Sequence, residues 1–572
     1  MKKNTISLNV EHVLYGLIFL VGLFLRLVQL GKLPLNNEEA RLALQALWLA
    51  RGESSPLFNP DGGYWITTAA FFFIFSASEF LARWMPALLG SLVCLMPLGF
   101  RKWLGRKTAL IAAIGLALDG AWLASARQAG SHTWAILFFL AAIWGLFSRR
   151  WKLAGVFSGL LLLGGAEVWK GVIPFGIAIG VFRLWFERDF FKGNEDWLSI
   201  RAHLKEVLLW TGGTVLIVGS LFLILPAGLS AVGGGLVAYL RGWNGSSGVS
   251  VGLILAAMLV YQPISTLFGV AGSIWQIKQP AGLERFLAVW WFFALIHTLL
   301  YPAREALDVL WVSIPLIGLA ARLLSSLLRF DFDQRFAALV YGTVVFVFLL
   351  FISQNIMRIF SPGRVAVNTQ PEIIAILAAM LFVIISLILI GWGWSTRVAG
   401  YGAVWGLLGL LVLFWLSGSF HAAGLSQNPE TNPFRRGWFI SEADLIKGTI
   451  GDLSEMNIRS RTGLDVLAVG LDQPSMRWMA KDYPNFEFEN TFQPLMQSSI
   501  VLTGSSENMV FSENYRGQDF LWEVRPIWNL MSIEEWMQWV IFKIAPVENK
   551  MVFLWASERL FPGSEISSEV QP

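Results

Sequence analysis

Apolar runs of about 18 residues recur along the first three-quarters of this chain, and a run of that length is enough to carry a helix across the hydrocarbon of a bilayer. They fall at 13–30, 82–100, 108–126, 133–148, 153–168, 171–186, 207–226, 249–270, 286–302, 306–324, 336–357, 373–393 and 399–419, about thirteen in all. Composition agrees: 55% of the residues are hydrophobic and 14% are charged, where a soluble domain carries about a quarter charged. The Met1-Lys2-Lys3-Asn4 start and the apolar stretch that follows resemble a signal peptide. The run is too long for one, however, and no small-residue cleavage site follows it. It reads as a first spanning helix with its basic end in the cytoplasm. Lys2 stands where an N-myristoylated chain has Gly.

The basic residues test this path, because cytoplasmic loops collect Lys and Arg. Arg101, Lys102, Arg106 and Lys107 fall on one side of the alternation. Arg149, Arg150 and Lys152 fall on the same side, as do Lys278 with Arg285, Arg322 with Arg329 and Arg335, and Arg397. With the first helix running outward, all of them lie in the cytoplasm. Residues 31–81, the turns near 127–132 and 167–171, the loops at 227–248, 303–305 and 358–372, and everything after 420 then lie outside it. The expected location is the cytoplasmic membrane, crossed many times, with the N-terminus inside and the tail outside.

Residues 420–572 are richer in Pro, Asn, Glu and Ser. Short β-like runs appear at Leu464–Val469, Phe486–Phe488, Ile500–Leu502 and Met551–Trp555, with helix-like segments near 474–481 and 532–544. This alternation predicts a small α/β domain with a partly parallel sheet. No glycine-rich loop follows a strand, so nucleotide binding there has no support. A net charge of +4 without a basic block argues against a nucleic-acid partner. The single cysteine, Cys94, rules out a disulfide within the chain and a thiolate zinc site.

The candidate chemistry lies in the outer loops. Pro34-Leu-Asn36-Asn37-Glu38-Glu39-Ala40-Arg41 reads as a helix start, with Asn36 or Asn37 as cap and Glu39 closing a capping box from Asn36. It also sets two carboxylates at the end of the first spanning helix, where either is placed to act as a general base. An amphipathic segment to Gly52 and an aromatic, apolar one from Gly63 through Phe75 to Pro86 read as helices in the interface. Ser125-Ala-Arg127-Gln-Ala-Gly-Ser-His132, Glu167-Val-Trp-Lys170-Gly171 and Tyr301-Pro-Ala-Arg304-Glu305 add three loops on the same face. Cations there commonly snorkel to headgroups, but Arg127, Lys170 and Arg304 together are suited to a phosphate. His132, Glu167 and Glu305 are further candidates.

The order of these features resembles the GT-C superfamily of polyprenyl-phosphate-sugar glycosyltransferases, family 39-like. It is nearest the protein O-mannosyltransferases, the aminoarabinose-to-lipid-A transferases and their flippase-associated archaeal and bacterial relatives. The resemblance rests on Asn37-Glu38-Glu39-Ala40, on Ser78-Glu-Phe-Leu-Ala-Arg83-Trp-Met-Pro86-Ala-Leu-Leu-Gly90, on Leu104-Gly-Arg106-Lys107, on Ser125-Ala-Arg127, on Gly159 through Lys170-Gly171, and on the tail segment Arg477-Trp-Met-Ala-Lys-Asp-Tyr-Pro484-Asn485.

It implies an α-helical polytopic GT-C-like domain over 1–419, interfacial helices in its first outer loop, and an α/β extracytoplasmic domain over 420–572. It further implies transfer of a sugar from a polyprenyl-phosphate donor to a glycan, lipid or protein acceptor. In the family the first member of an acidic pair, usually Asp-Glu, is the base. Glu38 matches it, with Glu39 beside it, and Lys170 matches the family lysine. Some members hold a metal with a second acid in the loop after the third helix. Residues 127–132 contain none, so no metal is expected, a divalent cation being kept only as an alternative. The rival readings are a non-catalytic GT-C-like scaffold and a transporter or flippase component using Asp119 or Asp308.

Overall fold

The computed structural model describes residues 10–53, 60–186, 201–246, 248–276, 282–328, 332–363, 369–491, 498–505, 511 and 513–561. Lys278, Arg329 and parts of the loops at 31–81, 227–248 and 358–372 lie outside them. Each of the thirteen apolar runs falls on a helix or on a bent pair of helices. By length and composition, eight described helices can span a bilayer, or ten if two bent pairs each count once, so the expected thirteen is not reached on that measure. The bent pairs are Arg106–Leu118 with Gly120–Ala126, broken by 57°, and Val251–Tyr261 with Pro263–Trp275, broken by 98°. The shorter apolar helices His132–Phe147 and Trp151–Leu162 account for part of the difference.

Burial separates a packed centre from a lipid-facing rim. Ala306–Leu327 is enclosed by its neighbours, whereas Gln370–Gly393 exposes most of its apolar side chains, as a helix does when hydrocarbon is its solvent. Small residues set the closest approaches, as is usual between membrane helices. Gly171 meets the indole of Trp311, and any Cβ at that position would overlap the ring. The first two basic clusters share one side: His12, Arg101, Lys102, Arg149 and Arg150 line a single cavity of about 690 Å³.

The tail forms a six-stranded sheet, in the order β1(Phe439–Ile440), β5(Tyr515–Pro526), β6(Val547–Ser557), β4(Ile500–Thr503), β2(Val466–Val469), β3(Phe486–Glu489). β2 pairs in parallel with β3 and β4, while β1–β5, β5–β6 and β4–β6 are antiparallel. The expected partly parallel sheet is therefore present, along with β1, β5 and the helix Ala443–Ile458, which sequence reasoning missed.

The sheet domain is seated on the spanning helices. Trp539, on the helix Ile533–Phe542, is fully buried in the membrane part's own core beside Tyr261 and Phe434. Lys543 caps that helix, donates from Nζ to Val540 O at 2.7 Å and lies over the Tyr261 ring at 5.0 Å. Burial lowers its ammonium to about 7. Between that value and the unfolded one near 10.5, the unfolded chain holds a proton that the folded chain has released. Stability therefore rises with pH across this window, by at most about 1.4 kcal/mol per unit. Lys543→Met is expected to raise the melting temperature at pH 7, and its advantage over the natural protein is expected to shrink by pH 9. An advantage independent of pH would contradict this origin.

Candidate functional site

The first loop starts its helix as its sequence requires. Asn36 caps Asn37–Arg51: its side chain accepts from Glu39 N–H at 2.9 Å, and its own N–H donates to Glu39 Oε2 at 3.4 Å. This is the expected capping box, and Glu39 does more besides. Arg83 reaches it across the chain, donating from Nε to Oε1 at 2.8 Å and from NH2 to Oε2 at 2.6 Å, and Ala129 N–H adds 2.9 Å. Burial would push the Glu39 carboxyl up, but the Arg83 guanidinium outweighs it and holds the group below its ordinary value. Arg83 also donates to the carbonyls of Leu30, Leu33 and Pro34. Glu39 is thus a fully buried anchor of the loop.

Glu38 points the other way. Its side chain is 46% exposed and its nearest cation is Arg41, at 3.4 Å. The turn at Gly437, with φ +71, passes below it, so that a Cβ there would sit 3.8 Å from Glu38 Cγ. Next to it, Asn37 fastens the sheet domain to the loop. Asn37 Oδ1 accepts from Ser475 N–H at 3.0 Å and Ser475 Oγ at 2.7 Å, and its Nδ2 donates to Glu523 at 2.7 Å and Gln473 at 3.1 Å. Trp478 adds a tilted ring contact with Phe72 and donates a 2.9 Å hydrogen bond to Glu79. The amphipathic helix expected along the interface is roofed by the tail, and most of its residues are buried. Asn37→Ala removes four hydrogen bonds across this seam. It is expected to destabilise the seam by roughly 1–3 kcal/mol, read as faster proteolysis of the tail.

The three expected phosphate cations do not form a free claw. Arg127 donates from NH1 to the carbonyls of Leu25, Arg26 and Val28, closing the end of the first spanning helix. Arg304 does the same at Val249, Leu299 and Tyr301. Helix ends leave carbonyls without partners, and these guanidiniums satisfy them. Lys170 is buried between Glu167, at 3.0 Å, and Asp308, at 2.9 Å.

What does converge is a set of charges from four segments. His132 Nε2, at the start of His132–Phe147, lies 3.1 Å from Glu167 Oε2 and 3.8 Å from Glu305 Oε2. Arg436, in the connection leading to the sheet, grips Glu305 at 2.8 Å with both Nε and NH2. Asp61 borders the group; burial pushes its carboxyl up, Arg436 opposes this and Glu167 adds to it. Arg436 and Asp61 were missed at the sequence level. The adjacent pair Arg435-Arg436, set between Phe434 and Gly437-Trp438, was the available signal. His132, Glu167 and Glu305 could jointly hold a metal, since their ligand atoms lie within 4.8 Å of one another.

The two acids of the transporter reading have fixed partners. Asp119 caps Gly120–Ala126 at the bend and accepts from Gln262 Nε2 at 2.7 Å and Ser265 Oγ at 3.4 Å. Asp308 holds Lys170 and the backbone N–H of Glu305.

No protein-family sequence model matches the chain, and no curated protein matches it significantly. Solved structures do share the fold. ArnT from Cupriavidus metallidurans bound to undecaprenyl phosphate superposes with a TM-score of 0.55 at 13% identity, over 95% of this chain and 98% of that one. The apo state of the same protein gives 0.54 at 13% identity over the same shares. At this identity the likeness establishes the architecture alone: the many-helix fold of that protein with a small C-terminal sheet domain.

Proposed function

We propose that this protein is a membrane glycosyltransferase that takes a sugar from a polyprenyl-phosphate donor of the undecaprenyl kind and passes it to an acceptor outside the cytoplasm. The observation that carries this reading is the division of labour in the acidic pair. Glu39 is locked to Arg83, while Glu38 stays half exposed where the first loop meets the sheet domain. The likeness to an ArnT structure bound to undecaprenyl phosphate supports the donor class.

In the proposed step the Glu38 carboxylate takes the proton of an acceptor hydroxyl or amine. The freed lone pair forms a bond to the anomeric carbon. The bond from that carbon to the phosphate oxygen breaks, and its electron pair leaves with the polyprenyl phosphate. Arg41, partly exposed beside Glu38, is placed to meet the departing phosphate. Charge developing on that phosphate is where a positioned cation lowers the barrier. Residues 420–572 form the acceptor side, because Asn37 ties them to the residue next to the base. The N-terminus is cytoplasmic and this seam faces outward.

A scaffold without catalysis is favoured by one observation: Lys170 is held between Glu167 and Asp308, and Arg127 and Arg304 each turn part of their guanidinium to backbone carbonyls. The two readings separate in a transfer assay with purified protein in nanodiscs, labelled undecaprenyl-phosphate sugars and a panel of glycan, lipid and peptide acceptors. The enzyme reading expects label on an acceptor. No transfer from any donor by a folded protein supports the scaffold.

A further inference from the structure

On the side where the N-terminus lies, three helix ends frame the cavity of about 690 Å³. Met96–Leu104 brings Arg101 and Lys102, the turn after His132–Phe147 brings Arg149 and Arg150, and the start of Val10–Leu27 brings His12. Among the described residues, its lining holds four permanent cations and no carboxylate. Glu11, beside it, reaches Arg101 at 3.4 Å and Arg106 at 3.9 Å, so one acid faces more cations than it can neutralise. Like charges gathered round one hollow repel one another, and an anion seated in it turns that repulsion into attraction. The backbone supplies a second, independent argument. His132–Phe147 ends in a Schellman motif, Arg150 N–H donating to Gly145 O at 2.9 Å and Arg149 N–H to Leu146 O at 3.2 Å. Arg149 takes the left-handed position of that motif, with φ +55, where glycine is the favoured residue. A cation stands there at a cost in stability, and residues held in such conformations cluster at ligand clamps.

We infer that this cavity binds the headgroup of an anionic phospholipid from the leaflet on the N-terminal side. The wall decides between a lipid and a free phosphate. Trp103, Trp144 and Phe147 line the same hollow as the cations. Trp103 and Phe147 meet edge to face with ring centres 5.8 Å apart, and they stay 38% and 40% exposed. Arg150 lies over the Trp144 ring at 5.2 Å, and Trp144 in turn packs on Gly99, where a Cβ would come within 2.9 Å of the indole. Trp beside Lys and Arg belongs at the boundary between headgroups and hydrocarbon, and a basic pocket between spanning helices is the arrangement that takes an acidic headgroup. The guanidiniums supply forked donors for its phosphate, while Trp103 and Phe147 cover its glycerol and the first acyl carbons. An inorganic phosphate would leave those rings bare. A lipid seated here clasps three helix ends.

The inference does not depend on the transferase reading, because its test counts lipid and not turnover. Full-length protein in detergent is incubated with phosphatidylglycerol, with phosphatidylcholine of the same acyl chains, or with phosphatidylglycerol plus excess inorganic phosphate. Retained lipid is counted by native mass spectrometry. Retention of phosphatidylglycerol about tenfold or more above phosphatidylcholine is expected, with no displacement by phosphate. A cation near an anionic headgroup is worth about fivefold in affinity. Arg149→Gly is therefore expected to weaken retention by about that factor without lowering the melting temperature, since glycine fits the left-handed turn. Should that variant fail to fold, Lys102→Gln serves the same purpose. Arg106→Gln removes a cation that is 79% exposed on the same side but outside the lining, and it is expected to leave retention unchanged. Equal retention of the two lipids, displacement by phosphate, or unchanged retention in Arg149→Gly or Lys102→Gln would each overturn the site. An equal loss in Arg106→Gln would overturn it too, leaving only a diffuse charge along that face.

Discussion

Glu38→Gln is expected to lower the rate of sugar transfer by roughly 10²–10⁴-fold, the range lost when a positioned general base is removed. The amide keeps the size of the side chain and removes its affinity for a proton, so binding of the donor lipid should change little. The effect should appear in kcat and kcat/KM together, as it does when an interaction exists only in the transition state. Folding should be untouched, because Glu38 is half exposed and its 3.4 Å contact with Arg41 is a surface ion pair worth at most about 1 kcal/mol. Glu38→Asp, which restores the carboxylate one methylene shorter, should recover part of the rate. A Glu38→Gln protein that transfers normally would move the base elsewhere, and Glu39 would not be the successor, since it is enclosed.

Arg83→Met is expected to act in the opposite way, on stability rather than on the rate per folded molecule. Arg83 and Glu39 are 3% and 0% exposed and meet through two oxygens, at 2.8 and 2.6 Å. Removing the cation leaves a buried carboxylate unpaired, which typically costs about 3–5 kcal/mol. The carbonyls of Leu30, Leu33 and Pro34 lose their donor as well. A marked fall in melting temperature and in yield from membranes is the expected result. Pairing Arg83→Met with Glu39→Leu should recover part of the loss, because the isolated charge is gone. A loss below about 1 kcal/mol in Arg83→Met would show that Glu39 finds water or another partner, and would reopen its candidacy.

These two neighbours show what sequence reveals and what it hides. The capping box from Asn36 to Glu39 is local, a matter of residue types three apart, and was readable. The partner that makes Glu39 structural lies 44 positions away, and no spacing rule reaches it. The apolar runs gave the helices because a span needs only length and apolarity. The bends at Asp119 and at Gln262-Pro263 bring Asp119, Gln262 and Ser265 into hydrogen-bond contact, and run lengths alone did not expose them. In the tail, β2, β3, β4 and β6 were legible as apolar runs. β5 was not: its first half, Tyr515–Asp519, is polar, and the buried alternation Phe520, Trp522, Val524 occupies only its end.

The site itself was half legible. The first loop, His132, Glu167, Lys170 and Glu305 were chosen as charged groups at helix ends on one face, and the last four do come together. Arg127 and Arg304 met the same criterion and also donate to carbonyls near helix ends, contacts that belong to backbone geometry residue types do not encode. Arg436 lay in a connection with no periodicity to draw attention to it. That the tail reaches the first loop through Asn37 follows only from the packed structure.

The central claim is that a polyprenyl-phosphate sugar is cleaved here with Glu38 as base. Its most direct measurement is release of undecaprenyl phosphate from undecaprenyl-phosphate sugars in nanodiscs, followed by mass spectrometry, for the natural protein and Glu38→Gln side by side. The prediction is acceptor-dependent release by the natural protein, reduced at least a hundredfold in an equally stable Glu38→Gln variant. No release with any donor and acceptor, or the same release from both proteins, would contradict it.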